Sequence, residues 1–151
     1  MAKQKLTSSR EDYLEAILAL IHAKGFARVR DIAEQLGVGR SAVSNALTAL
    51  SRHGLVVYEP YRMVTLTDKG EQAARAVTER HDTLKRFMED VLGLAGAQAD
   101  SAACSFEHDI DPVVLERIRQ LTGFFTDKRS GKALTQRWQD FPTASQEHPD
   151  A

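Results

Sequence analysis

A single cysteine in 151 residues excludes any intramolecular disulfide framework. It leaves one thiol, Cys104, which suits a reducing compartment. No apolar run approaches the ~20 residues needed to cross a bilayer, and the start MAKQKLTSSRED has no apolar signal core, so the expected location is cytoplasmic, with no membrane partner. A large excess of charge of either sign is also missing. The net charge of −1 argues against a uniformly basic coat for nucleic acid. Internal repeats and low-complexity tracts are absent, which excludes solenoid architectures.

What is present reads as a globular chain, with 42% hydrophobic and 27% charged residues, enough for one ordinary domain or two small ones. Its charge is unevenly placed. Residues 1–70 carry 10 Lys and Arg against 7 Asp and Glu, whereas residues 71–151 carry 10 against 14. The first part is therefore the one suited to approach phosphate.

Ser8 and Glu11 have capping-box spacing at the start of a predicted helix whose apolar face is Tyr13, Leu14, Ile17, Leu18, Leu20 and Ile21, and which Gly25 ends. Asp12 and Glu15 share the opposite face, where an acidic pair in a first turn is ordinarily just solvated. A second helix is predicted in VRDIAEQLG and a third in RSAVSNALTALSRHG, separated by Gly37-Val38-Gly39. Two short amphipathic helices about a glycine-containing turn form a helix-turn-helix signature. The third helix buries Val43, Ala46, Leu47 and Leu50, and opposite them it carries Ser41, Ser44, Asn45, Thr48 and Arg52, with Arg40 at its start. These short hydrogen-bonding side chains allow close approach to base edges, and an Asn can bond adenine bidentately. Large aromatic anchors of the kind found at protein interfaces are missing from this face. Leu55–Tyr58 and Val64–Leu66 then predict a hairpin around Pro60, making the arrangement a winged helix with Tyr61 and Arg62 at the wing tip.

From Asp68 to about Leu92 a long helix carries an apolar stripe that includes Leu84, Phe87, Met88 and Val91, longer than a small winged helix needs and expected to meet a second copy of the chain. His81 lies at the edge of the stripe. A short helix over about residues 100–108 carries Cys104, Glu107 and His108 at i, i+3 and i+4, so that thiolate, carboxylate and imidazole share one arc of roughly 100°. Asp111 and Pro112 start a further helix as cap and first-turn residue. Beyond Asp127 the periodicity fades, although Leu134, Trp138 and Phe141 are apolar enough to dock on the body. The expected architecture is mainly α with a small β-hairpin wing. It comprises an N-terminal winged helix-turn-helix over 1–70, a helical metal-binding and dimerisation domain over 71–126, and a tail over 127–151.

Three stretches, EDYLEAI, RVRDIAEQLGVGRSAVSNALTALSRHGLVVYEPYR..VTLTDKG and RH..L..F....LGL......AC..EH, together resemble the metal-dependent repressors of the diphtheria toxin repressor and manganese-transport repressor group, in order and spacing, over about residues 8–125. The resemblance implies a homodimeric transcriptional repressor of metal-homeostasis genes, with Mn(II) or Fe(II) as co-repressor, one or two ions per subunit, and a palindromic double-stranded DNA operator as partner. It implies Asp12, Glu15, His81, Cys104, Glu107 and His108 as the metal ligands. Asp12 follows the manganese type, Cys104 the iron type. Lys85 and Asp100 stand where the ancillary site of the longer members has a glutamate and a histidine, so that second site is not expected. Met63 stands where a glycine is usual after Tyr-Arg, which removes the usual place for a left-handed wing turn.

Two other classes fit some of the same residues. One is a winged-helix regulator that senses oxidants through Cys104. The other is an enzyme using a Cys104–His108 dyad, for which no oxyanion-hole or substrate-pocket signature is present.

Overall fold

The computed structural model describes residues 6–127 and 131–140. The chain divides into two compact units between Arg80 and His81. In the first unit, α1 (Ser8–Lys24), α2 (Val29–Leu36) and α3 (Arg40–Arg52) precede the strands β1 (Val56–Val57) and β2 (Thr65–Leu66). The strands pair antiparallel, with Val56 opposite Leu66 and Val57 opposite Thr65. A bridge from Ala27 to Val64 ties the α1–α2 connection to the same ladder. The helical periods seen in the sequence bury one stripe per helix. Leu14, Ile17, Ile32, Val43, Leu47, Leu50 and Val64 are almost wholly shielded and form one core. Each such aliphatic side chain contributes about 1.5–3 kcal/mol on burial.

Helix boundaries follow local backbone chemistry. Gly25 and Gly37 end α1 and α2 at positive φ (79° and 65°), and their amides bond back to carbonyls of the last turn. The start of α1 differs from expectation: Thr7 is the N-cap, and no side chain caps the helix. Instead of closing a capping box, Glu11 is buried and accepts a 2.7 Å hydrogen bond from Arg80 of the long helix α4 (Asp68–Asp90). A partly buried guanidinium gives a carboxylate a stronger partner than a solvated backbone amide does.

At the wing tip the Arg62 amide donates to the Glu59 carbonyl over 3.1 Å. Tyr61, not residue 63, takes the left-handed conformation, with φ of 67° and a fully exposed side chain. Pro60 before a positive φ is the pattern of a type II turn, in which a glycine or asparagine normally follows the proline.

Helix α4 starts against the end of the winged helix. The Thr67 hydroxyl donates to the Gly54 carbonyl (2.7 Å) and accepts from the Gly70 amide (3.1 Å), while the Thr67 amide donates to the Leu55 carbonyl (3.1 Å). Gly70 is required here, because a Cβ would fall 1.8 Å from the Leu55 carbonyl oxygen.

The second unit begins at His81 and contains the end of α4 with α5 (Gly96–Phe106), α6 (Pro112–Thr126) and α7 (Gly131–Gln139). Leu84 and Met88 of α4 pack on Ala99 and Ala103 of α5, with Phe87, Ile110, Leu115 and Ile118 at the margin, and Val91 is buried as well. The two alanines are both fully buried. The stripe expected to meet a second copy is thus already covered inside its own unit: Leu84, Met88 and Val91 retain only 2%, 7% and 4% exposure. Large apolar side chains are exposed instead on α6, at Val113, Val114, Leu121 and Phe124. Asp111 caps α6 as expected, accepting from the Val113 amide at 2.7 Å.

α7 is a helix where sequence periodicity had faded. The Thr135 hydroxyl bonds the Phe125 carbonyl of α6, and Leu134 is half-buried while Trp138 stays largely exposed. Packing on α6 supports a helix that its own sequence signals only weakly. Phe141 lies outside the described residues.

Candidate metal centre and nucleic-acid interface

In the second unit, α4 and α5 bring together three of the six expected ligands. His81, half-buried on α4, places Nδ1 2.7 Å from Glu107 Oε2. His108 Nε2 is 3.4 Å from Glu107 Oε1, the other oxygen of the same carboxylate. Glu107 is fully buried, and its neighbours His81 and His108 keep only 16% and 12% side-chain exposure. A carboxylate taken wholly out of water costs several kcal/mol unless positive charge and hydrogen bonds surround it. Two imidazole nitrogens around a buried carboxylate make a donor set that suits a divalent transition-metal ion. α5 ends at Phe106, so Glu107 is the C-cap of that helix and His108 lies in the following turn. Cys104, one turn earlier, is exposed. In the first unit, Asp12 and Glu15 are half-buried on α1 beside the buried Glu11.

His81 has a second partner that sequence reasoning had treated only as a departure from a pattern. Its Nε2 lies 3.2 Å from Asp100 Oδ1, and the same oxygen accepts from Lys85 Nζ at 2.8 Å. The Lys85 hydrogen bond, followed by that from His81, holds the Asp100 carboxyl below its ordinary 3.8. Asp100 in turn raises Lys85 above 10.5. A depressed acid loses its contribution as pH falls through its folded value, and a raised base loses its own as pH rises through the folded value. The Lys85–Asp100 pair therefore stays charged from below pH 3.8 to above pH 10.5. The signal for it was available in sequence: Lys85 stands at i+4 from His81, on the same face of α4.

The candidate DNA face lies in the first unit. On α3, Arg40, Ser41, Asn45, Thr48 and Arg52 are exposed and Ser44 is half-buried, opposite the buried Val43, Leu47 and Leu50. The Thr48 hydroxyl donates to the Ser44 carbonyl at 2.8 Å, so its proton is engaged within the helix and its oxygen and methyl face outward as acceptor and apolar contact. No acidic residue occupies the first turn of α3, which leaves its backbone amides favourable to phosphate. On the wing, Arg62 Nε is held 2.8 Å from Glu59 Oε2, with both side chains largely exposed. Such a pair is worth ~0–1 kcal/mol, little enough for a phosphate to displace the glutamate.

Comparisons with known proteins agree across both units. The description "Iron dependent repressor, N-terminal DNA binding domain" matches residues 5–64, and "Iron dependent repressor, metal binding and dimerisation domain" matches residues 67–134. An uncharacterised HTH-type transcriptional regulator of Methanocaldococcus jannaschii is 37% identical over 124 residues, 82% of this chain and 99% of that protein. The HTH-type transcriptional regulator MntR of Bacillus velezensis is 36% identical over 126 residues, 83% of this chain and 88% of that protein. Among solved structures, a manganese-dependent transcriptional repressor in complex with manganese is similar, with a TM-score of 0.66 and 31% identity over 76% of this chain, which spans about half (53%) of that one. No described helix is long and apolar enough to cross a membrane. With a helix-turn-helix and wing followed by a helical unit around a buried Glu107 and two histidines, the chain belongs to the iron-dependent repressor family, the diphtheria toxin repressor and manganese-transport repressor group of metal-dependent DNA-binding transcriptional regulators.

Proposed function

We propose that this chain is a cytoplasmic, homodimeric repressor that takes Mn(II) or Fe(II) as co-repressor and controls metal-homeostasis genes from palindromic operators. The observation that carries the metal reading is the fully buried Glu107 carboxylate between His81 and His108. Asp12, Glu15 and Cys104 complete the proposed ligand set. The oxygen-rich part of this set suits Mn(II), and the thiolate adds affinity for Fe(II). The bound ion supplies fixed positive charge that the acidic ligands cannot supply to one another. Asp12 and Glu15 belong to α1 of the DNA-binding unit, so their recruitment by the ion would couple metal binding to DNA binding. If DNA-competent geometry is only ~1% populated without metal, fixing it recovers up to ~100-fold in apparent affinity.

In this reading Arg40, Ser41, Ser44, Asn45, Thr48 and Arg52 of α3 meet the major groove, and Tyr61 and Arg62 of the wing meet the backbone beside it. Two such helices in a dimer would enter successive grooves about 34 Å apart. The second copy covers the exposed face of α6, and the α4 stripe of Leu84, Phe87, Met88 and Val91 supports that face from the core. The test is an anaerobic titration of promoter-DNA binding with Fe(II), with Mn(II), with Zn(II) and with no metal. Tight, specific binding that requires Fe(II) or Mn(II) is expected, and metal-independent binding would refute the reading. The exposure of Cys104 favours one second reading, oxidant sensing at this thiol. That version calls for release from DNA by peroxide with no effect of chelation.

A further inference from the structure

An imidazole binds a metal through one nitrogen, and the partner of its other nitrogen decides which one and how the ring is turned. In His81, Nδ1 faces the buried Glu107 and Nε2 faces Asp100. Asp100 does not act alone, because its Oδ1 is shared between His81 and the ammonium of Lys85. His81, Lys85 and Asp100 thus form a chain in which a lysine on α4 fixes a carboxylate on α5, and that carboxylate receives the imidazole of a residue one turn before the lysine.

We propose that Asp100, held in place by Lys85, is the positioning residue for His81, accepting the hydrogen bond of its Nε2–H and leaving Nδ1 as the nitrogen offered to the metal. The inference rests on the reading of His81 as a ligand. A consequence concerns Asp100 itself. A carboxylate oxygen engaged by an ammonium at 2.8 Å and an imidazole at 3.2 Å has little capacity left for an ion of its own. The Oδ1 of Asp100 is thus committed to orienting His81 and holding Lys85.

The experiment is nitrogen-15 NMR of the histidine rings in the full-length chain, with and without Zn(II) as a diamagnetic probe, combined with Mn(II) binding isotherms for the wild type, Asp100→Ala, Asp100→Asn and Lys85→Met. In the wild type, Zn(II) is expected to shift Nδ1 of His81 while Nε2 keeps its proton. Asp100→Ala should lower Mn(II) affinity about 10–100-fold and give a mixture of His81 ring forms. Asp100→Asn keeps an accepting oxygen, so it should hold the Nε2–H form and recover most of the affinity, with Lys85→Met falling between the two. A purely structural role for Asp100 would change folding in both Asp100 variants without altering the ring-nitrogen pattern. If Asp100→Ala retains the wild-type pattern and binds Mn(II) within twofold, the positioning role is overturned while the metal site stands. If Zn(II) leaves wild-type His81 unshifted, the metal reading falls, and this inference falls with it.

Discussion

Replacing Gly70 by alanine tests the junction from which the wing and the long helix both start. The added methyl would sit 1.8 Å from the Leu55 carbonyl oxygen and 2.8 Å from its carbon, and both are backbone atoms with no rotamer to turn aside. Reaching ordinary contact requires the first turn of α4 and the Leu55 peptide to separate by roughly 1.5 Å. That displacement acts on the hydrogen bonds that join the same two segments, from Thr67 N to Leu55 O at 3.1 Å and from Thr67 Oγ1 to Gly54 O at 2.7 Å. Overpacking costs about 1–3 kcal/mol, and a weakened cap about 0.5–2 kcal/mol. Alanine returns ~1 kcal/mol through its better helix propensity. A net loss of roughly 2–3 kcal/mol is expected, a large fraction of the ~5–15 kcal/mol that keeps a domain folded. Urea denaturation of the full chain, followed by circular dichroism, measures it. Specific DNA affinity should fall too, since the base of the wing hangs from Leu55 and Thr67. A Gly70→Ala protein within about 0.5 kcal/mol of wild type would show that the helix start does not press on Leu55 and would refute the steric reasoning.

Other expectations concern the two candidate sites. Asn45→Ala should cost on the order of 1–3 kcal/mol at the preferred operator and relax specificity there, whereas Arg62→Ala should weaken all sequences alike and lower the salt slope; equal loss on specific and random DNA for Asn45→Ala counts against base reading. Tyr61→Gly should relieve a left-handed residue and stabilise the fold by about 1 kcal/mol while reducing DNA affinity, and a less stable variant in thermal denaturation would show that the turn carries no strain. Leu121→Glu combined with Phe124→Glu should convert a dimer into a folded monomer in sedimentation at micromolar concentration, and an unchanged dimer would move the interface away from α6. Cys104→Glu should shift activation from Fe(II) toward Mn(II), because an oxygen replaces the only sulfur donor. An unchanged ratio of operator affinities under the two metals would remove Cys104 from the ligands.

The helices of the first unit were legible because each showed an apolar period near 3.6 joined to a second signal, a glycine at the end of α1 and of α2 and polar residues on the outer face of α3. The wing was legible as a hairpin, but its turn was not. The family resemblance pointed to residue 63 as the site of a missing left-handed glycine, whereas the chain places that conformation at Tyr61, behind Pro60. Local rules give the kind of turn and not its register when the flanking strands are only two residues long. The apolar stripe of α4 was only half legible for a related reason. A stripe reveals that a face must be covered, but nothing in its own period says whether Ala99 and Ala103 of the same chain or another copy will cover it.

The chemistry of the candidate centre was more legible than its wiring. Helical spacing grouped Cys104, Glu107 and His108 on one arc, and only the family resemblance joined His81 to them as an expected ligand. Spacing could not indicate that Glu107 would be fully buried while Cys104, one turn away, stays exposed, since that depends on which side of α5 meets α4. Nor could it foresee that the Lys85–Asp100 pair would reach Nε2 of His81. Both facts follow from one packing decision. Ala99 and Ala103 pack on Leu84 and Met88, and the side of α5 that carries Asp100 and leads to Glu107 then meets the side of α4 that carries His81 and Lys85. A bulkier residue at Ala103 would therefore separate Glu107 and Asp100 from His81 together, disturbing the proposed ligand and its positioning residue without altering a single polar side chain.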